Sequence, residues 1–113
     1  MIIAITGTNT DVGKTVATAA IAAVLKRRGV DVVAAKPIQT GEEPGQGDAA
    51  AVEKLAGVAT FERWRYPEPL APNLAARRAG MYAVGHVPAY LPAGHADLLA
   101  ERGAHAVIRS MED

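Results

Sequence analysis

A glycine-bearing loop between an apolar run and an alanine-rich segment constrains the fold of this chain more than any other feature. Ile2–Ile5 is continuously apolar, as expected of a short strand buried on both faces. The loop "TGTNTDVGKT" follows, and residues 14–28 predict a helix that ends before Gly29. This order directs several backbone N–H groups toward one point at a helix N-terminus, which favours a bound phosphate.

The Gly-Lys-Thr triplet gives this loop its specificity. In such loops a lysine, here Lys14, reaches the β- and γ-phosphates, and a hydroxyl, here Thr15, reaches Mg²⁺. Five residues separate Gly7 from Gly13, where the common motif has four. The alternative is a tight turn capped by Asp11 that holds no ligand. The strand, loop and helix context favours nucleotide binding.

A second lysine lies at the end of a second predicted strand. Residues 30–35 predict a strand that ends at Lys36-Pro37, which would complete a βαβ unit with a right-handed crossover. Lys36 would then lie at the carboxyl edge of a parallel sheet, where open α/β folds bind ligands. The alternative is a solvated lysine at a strand end. The following "PIQTG" favours a ligand site, because its loop can bring the Thr40 hydroxyl near Lys36.

Asp48 precedes an alanine-rich segment that predicts a helix as far as Gly57. The simpler interpretation is that Asp48 is the N-cap of this helix. A carboxylate has more than one acceptor site, so the same residue can also bind a metal ion. The next stretch, "FERWRYPEPLAP" at 61–72, predicts an extended surface loop, which we favour over a base-stacking site for nucleic acid.

The rest of the chain predicts four short elements and an unfinished one. We expect a helix over 73–79, a strand over 81–87, a helix over 93–102 and a strand over 104–109. The final "SMED" matches a capping box that begins a helix, which favours a truncated frame. The three histidines are nine and ten residues apart, a spacing that fits no common metal site.

Composition excludes several classes of protein. A chain of 113 residues predicts one small domain. Twelve basic and twelve acidic residues cancel, so no overall field attracts nucleic acid or a membrane surface. The absence of cysteine excludes disulfides and thiolate metal sites. With neither a signal-peptide pattern nor a membrane-length apolar run, we expect a cytoplasmic protein.

The ordered set of motifs resembles dethiobiotin synthetase, an enzyme family of biotin biosynthesis. The matching stretches are "TGTNTDVGKT", "KPIQTG", Asp48 ahead of its helix, and "YPEPLAPNLAA". The long phosphate loop is this family's own variant. The resemblance covers about residues 1–80, and it implies an α/β fold with a P-loop NTPase-like parallel sheet flanked by helices, here truncated.

This resemblance implies an ATP- and Mg²⁺-dependent ligase that closes a ring. In the family, 7,8-diaminononanoate takes up CO₂ as a carbamate, whose oxygen attacks the γ-phosphate to give a carbamic-phosphoric anhydride. The second amine then closes the ureido ring and expels phosphate. Family members form homodimers that build the substrate pocket across the interface.

By motif position the resemblance also implies a role for each site residue. Lys14, Lys36 and Thr10 would be catalytic, and Thr40 would bind the substrate. Thr15 and Asp48 would bind the metal. The nucleotide would be bound by a run of six residues: Asp11, Val12, Gly13, Lys14, Thr15 and Val16.

The chain also departs from the family pattern. The family continues into a strand that ends in Glu followed by Gly-Ala-Gly-Gly, and no such stretch occurs here. Residues 81–113 bear a faint similarity to the C-terminal end of haloacid-dehalogenase-like phosphatases, which predicts a divergent tail after residue 80. Two alternatives therefore stay open: a nucleotide-binding remnant without turnover, and another P-loop ligase such as a cobyrinate amidating synthase.

Overall fold

The computed structural model describes residues 1–7, 9–87, 92, 94–102 and 104–109. Their elements follow one another as α1 (Lys14–Arg27), β1 (Val33–Thr40), α2 (Asp48–Ala56), β2 (Ala59–Tyr66), α3 (Pro72–Arg78), β3 (Val84–Val87), α4 (Gly94–Glu101) and β4 (Ala106–Arg109). They form two compact units, residues 1–68 and residues 69–113. In the described part of the chain, no helix has the length and apolar character needed to cross a membrane.

The first unit is built on a parallel pair of strands joined by a helix. β1 pairs with β2 in register from Val33 opposite Ala59 to Thr40 opposite Tyr66, and α2 lies between them in sequence. Alternate residues of both strands are half-buried, so one face of the sheet packs inward and the other is open. This arrangement confirms the predicted α/β class with a parallel sheet and flanking helices.

Small side chains form the core of this unit. Ala19 and Ala22 of α1 contact Val52 of α2 and Val58, and three further apolar side chains pack against this cluster: Val32, Ala34 and Ala56. Alanine on the facing side of a helix allows close approach of the backbones, which the alanine-rich composition of α1 and α2 provides. α2 ends at Ala56, and the left-handed φ of 63° at its C-cap residue, Gly57, suits glycine.

Two predicted boundaries in this unit are wrong. Residues 2–5 form no strand and pair with neither β1 nor β2, and Ile2 is 96% exposed. The predicted βαβ unit through α1 therefore does not form. The second strand begins at Val33 and continues to Thr40, so that Lys36 lies inside it. Pro37 fits there because proline is tolerated at an unpaired strand edge.

The predicted surface loop at 61–72 is also wrong over its first half. Residues 61–66 belong to β2, where Glu62 and Trp64 turn inward and Phe61 and Arg63 outward. Charged residues occupy alternate positions of this strand, and because charged stretches normally predict loops, the sequence did not indicate a strand here. The partner strand supplies the hydrogen bonds that outweigh this bias.

The second unit repeats the parallel plan on a smaller scale. β3 pairs with β4 in register from Val84 opposite Ala106, with α4 between them in sequence. The rings of Tyr82 and His105 stack at 4.8 Å, and the Ala83 N–H donates to His105 Nδ1 at 3.0 Å. These strands and both helices lie within the ranges predicted from the sequence or within one residue of them.

Two predictions are not decided by these elements. The "SMED" capping box falls at 110–113, outside the described residues. The boundary between the two compact units follows Glu68. The boundary predicted after residue 80 separates the part that resembles dethiobiotin synthetase from a divergent tail, and it stays a prediction.

Candidate functional site

The phosphate loop leads directly into α1, and the start of this helix is not capped by a side chain of the described residues. Gly13, with φ of 93°, is the N-cap residue, and no hydrogen bond from a described side chain caps this helix. The first N–H groups of an α-helix have no intrahelical partner, so they face the loop with the positive end of the helix dipole. Asp11, with φ of 57°, shapes the turn but does not cap the helix, so the capping role that the ligand-free alternative gave it is wrong.

Lys14 lies across this loop. Its Nζ donates a hydrogen bond to the carbonyl of Asn9, which places the ammonium over the loop backbone. Gly7 makes room for the lysine stem, since a Cβ at Gly7 would lie 3.3 Å from Lys14 Cδ. A cation held over a helix N-terminus is the arrangement in which phosphate oxygens can replace a backbone carbonyl as the acceptor.

Three predicted site residues from separate parts of the sequence meet beside α1. The Thr15 hydroxyl donates to Asp48 Oδ1 at 2.5 Å, and the Lys36 ammonium donates to Asp48 Oδ2. Thr15 comes from the first turn of α1, Lys36 from β1 and Asp48 from the first turn of α2. The Lys36 and Asp48 side chains are 39% and 40% exposed, so a small ligand can reach them.

The surroundings of Asp48 keep its carboxylate ionised. Burial raises the pKa of Asp48, but the hydrogen bonds from Lys36 and Thr15 and the positive charges of Lys36 and Lys14 outweigh it. The pKa of Asp48 therefore lies below its ordinary value. An ionised carboxylate next to a threonine hydroxyl is a pair of hard oxygen ligands.

This oxygen pair fits Mg²⁺ better than a metal that needs a full protein cage. Mg²⁺ keeps several waters and is usually bound by one or two protein oxygens together with substrate phosphates. Within the described residues there is no group of three or more His, Cys, Asp or Glu side chains that could hold a metal ion. Thr15 and Asp48 are the residues that could hold Mg²⁺.

The predicted N-cap role of Asp48 is wrong. Asp48 is the first residue of α2, and Gly47 precedes it at the N-cap position without a capping side chain. Instead, the backbone N–H of Asp48 donates to Oε1 of Gln39 at 3.1 Å. A side chain from β1 thus accepts the Asp48 N–H, while the Asp48 carboxylate faces Thr15 and Lys36.

Sequence reasoning missed Gln39. It is the one buried polar side chain of the described residues, 5% exposed, and its Nε2 also donates to the Thr40 carbonyl at 3.0 Å. Gln39 thus joins the end of β1 to the start of α2. Its neighbours in the sequence gave no signal, because the contact partner is nine residues away and lies beyond a glycine-rich loop.

The remaining predicted site residues make no described side-chain contact with Thr15, Lys36 or Asp48. Thr10 is exposed in the phosphate loop, where its N–H donates to Asn9 Oδ1 at 2.9 Å. Val12 and Val16 are exposed on either side of Gly13, and Thr40 ends β1 half-buried. The predicted roles of these residues stay predictions.

A glycine-bearing loop at the start of α1, with Lys14 over its backbone and Thr15 hydrogen-bonded to Asp48 beside it, is typical of the P-loop α/β class. A family model described as an AAA domain matches residues 2–104, and the chain belongs to this family. The match confirms the fold class that the sequence predicted.

Comparison with curated proteins narrows the likeness to dethiobiotin synthetases. The chain is 60% identical over 80 residues to the ATP-dependent dethiobiotin synthetase BioD of Corynebacterium efficiens, covering 71% of this chain and 36% of that protein. It is 57% identical over 82 residues to BioD of Rhodococcus jostii, with 71% and 36% covered. The resemblance stated from the motifs is confirmed.

One relative extends the likeness past residue 80. BioD of Streptomyces avermitilis is 49% identical over 119 aligned positions, covering 99% of this chain and 50% of that protein. The AAA-domain match likewise continues to residue 104. The chain spans between about a third and half of the length of these relatives.

Proposed function

We propose that this chain provides the ATP- and Mg²⁺-binding part of a dethiobiotin synthetase, an ATP-dependent ligase that forms dethiobiotin from 7,8-diaminononanoate and CO₂. The observation that carries the proposal is the hydrogen-bonded group of Thr15, Lys36 and Asp48 beside the phosphate loop. The names of the relatives support ATP as the nucleotide and favour this ligase over a cobyrinate amidating synthase.

The phosphates would bind at the start of α1. The N–H groups of residues 11–16 would bind the phosphates, and Lys14 would exchange the Asn9 carbonyl for β- and γ-phosphate oxygens. Mg²⁺ bound by Thr15 and Asp48 would neutralise phosphate charge. Asp48 is suited to this role because its lowered pKa keeps it ionised at neutral pH.

Lys36 would serve the substrate end of the site. The carbamate and the γ-phosphate are both anionic, so their approach requires a cation between them. A carbamate oxygen attacks the γ-phosphorus, the bond to the ADP oxygen breaks, and a carbamic-phosphoric anhydride forms. The second amine then attacks the carbamoyl carbon, loses its proton and expels phosphate. Thr10 would lie at the γ-phosphate and Thr40 at the diamine.

Lys36 and Asp48 form an ion pair in this structure, so neither charge is buried alone before ligands arrive. Ion pairs that are this exposed contribute little to stability. Separating the pair to bind a metal at Asp48 and a carbamate at Lys36 therefore costs little.

By family likeness we further propose a cytoplasmic homodimer.

Nucleotide binding is tested by calorimetric titration of the chain with ATP in Mg²⁺. Lys14→Ala should weaken ATP binding by about tenfold or more, because a hydrogen bond to a charged group contributes roughly 1.5–3 kcal/mol. Lys54→Ala removes the same charge from an exposed position on α2 and should leave the affinity unchanged. Equal affinity in the wild type and Lys14→Ala would refute the loop assignment.

Turnover is tested by incorporation of labelled bicarbonate that depends on diaminononanoate and Mg-ATP. Incorporation that disappears in Lys36→Ala supports the ligase. ATP binding without incorporation supports instead a nucleotide-binding remnant without turnover.

A further inference from the structure

The guanidinium of Arg65, on β2, donates hydrogen bonds both to a side chain of its own strand and to the backbone of a nearby loop. Its guanidinium binds the Glu62 carboxylate through Nε at 3.1 Å and through Nη2 at 2.8 and 2.7 Å. Both side chains are about one-fifth exposed, 21% for Arg65 and 20% for Glu62. A planar fork bound to a carboxylate at two oxygens has a fixed orientation.

The other donors of this guanidinium bind the loop between β1 and α2. Nη1 donates to the carbonyls of Glu42 and Glu43 at 3.1 and 2.8 Å, and Nη2 donates to the carbonyl of Gln46 at 3.0 Å. This loop, residues 41–47, has no regular secondary structure and contains three glycines with positive φ. Glycine increases the conformational freedom that such a loop loses on folding.

The loop leads directly to the site, since it runs from Thr40 to Asp48. Its two ends are already joined through Gln39, and Arg65 fixes the stretch between them. We propose that Arg65, oriented by Glu62, is a positioning residue that holds loop 41–47 so that Asp48 lies between Thr15 and Lys36. This inference rests on the proposed function, because it assigns Arg65 an effect on the metal-binding end of the site.

Arginine is required here for its geometry as well as its charge. Its fork presents several N–H donors in one plane, and these reach two carboxylate oxygens and three carbonyls together. A lysine has the same charge on a single atom and cannot make these contacts together. Arg65→Lys is therefore the informative substitution, because it retains charge and approximate length.

The test compares ATP affinity in Mg²⁺ with ATP affinity in excess EDTA. In Arg65→Lys the ratio of these affinities should fall by about tenfold, the low end for groups that orient metal ligands. ATP affinity in EDTA should stay within about twofold, since Lys14 and the phosphate loop are unchanged. Arg63→Lys is the matched control, because Arg63 is exposed on the same strand and its guanidinium lies 4.9 Å from the Trp64 ring.

An unchanged ratio in Arg65→Lys, or an equal loss of affinity with and without Mg²⁺, would overturn the inference. If the wild type binds no ATP, the proposed function fails, and amide hydrogen exchange decides the positioning role separately. Exchange at Asp48 should then accelerate in Arg65→Lys while Ala19 and Ala22 of α1 keep their rates, and unchanged exchange at Asp48 would overturn the inference. Should Arg65→Lys not fold, Glu62→Gln, which removes the orienting charge alone, is measured in the same way against the same criteria.

Discussion

The contact between Gly47 and Gln39 gives the most quantitative prediction. Gly47 has φ of 97° and ψ of −167°, a region that is essentially restricted to glycine and costs other residues about 1–3 kcal/mol. A Cβ at this position would lie 2.7 Å from Cδ and 2.8 Å from Oε1 of Gln39, whose side chain is buried. Gly47→Ala must therefore both strain the backbone and displace Gln39.

Displacing Gln39 breaks its hydrogen bonds to the Asp48 N–H and the Thr40 carbonyl. Each is worth roughly 0.5–1.5 kcal/mol. Adding the backbone strain, we expect Gly47→Ala to lower the free energy of unfolding by about 2–6 kcal/mol. Folded domains have only about 5–15 kcal/mol in total, so this loss is a large share of the stability.

Urea denaturation followed by fluorescence of Trp64, the only tryptophan, measures this loss. Gly45→Ala is the control, because Gly45 has φ of 83° but an added Cβ would meet nothing within 4 Å. It should lose only the backbone term, about 1–2 kcal/mol. In a Gln39→Ala background the cost of Gly47→Ala should also fall to its backbone term. Equal costs for the two glycine substitutions, together with no change in the Gln39→Ala background, would refute the steric reasoning.

Two further predictions concern charge and packing. Because the folded pKa of Asp48 lies below its unfolded value, its contribution to stability is present above the unfolded pKa and is lost as pH falls through the folded pKa. Asp48→Asn should therefore show a shallower decline of unfolding free energy from about pH 5 downward, and an unchanged slope would contradict this linkage. Val52→Ala should lower the free energy of urea unfolding by about 2–3 kcal/mol, because Val52 is 3% exposed in the core. Leu55, on the same helix, is 63% exposed, so Leu55→Ala should lower it far less. Similar losses in the two variants would show that the core is placed wrongly.

Much of the candidate site is written in local sequence. The Gly-Lys-Thr loop identifies the helix that follows it, and α1 begins at Lys14 as predicted. Lys36 was recognised because a lysine at the end of a predicted parallel strand lies where α/β folds bind ligands, whereas the metal role of Asp48 was implied by the family resemblance. The structure brings both to Thr15.

The rest depends on contacts between distant residues. The apolar run at 2–5 has the composition of a strand, but a strand exists only where a neighbour supplies hydrogen bonds, and neither β1 nor β2 pairs with this run. The same pairing extends β1 to Thr40 and turns the charged stretch at 61–66 into β2. Sequence patterns measure the preference of a segment, whereas pairing is decided by the segment that lies beside it.

By itself, then, the sequence determined the phosphate loop, the helices α1 and α2 that follow glycine-containing turns, and the identity of the residues that meet beside them, which are Thr15, Lys36 and Asp48. Only the tertiary structure decided that Asp48 faces Thr15 and Lys36 rather than capping its own helix. The physical reason is that Gln39 satisfies the helix N–H and Arg65 holds the approaching loop, both across gaps in sequence that no local pattern spans.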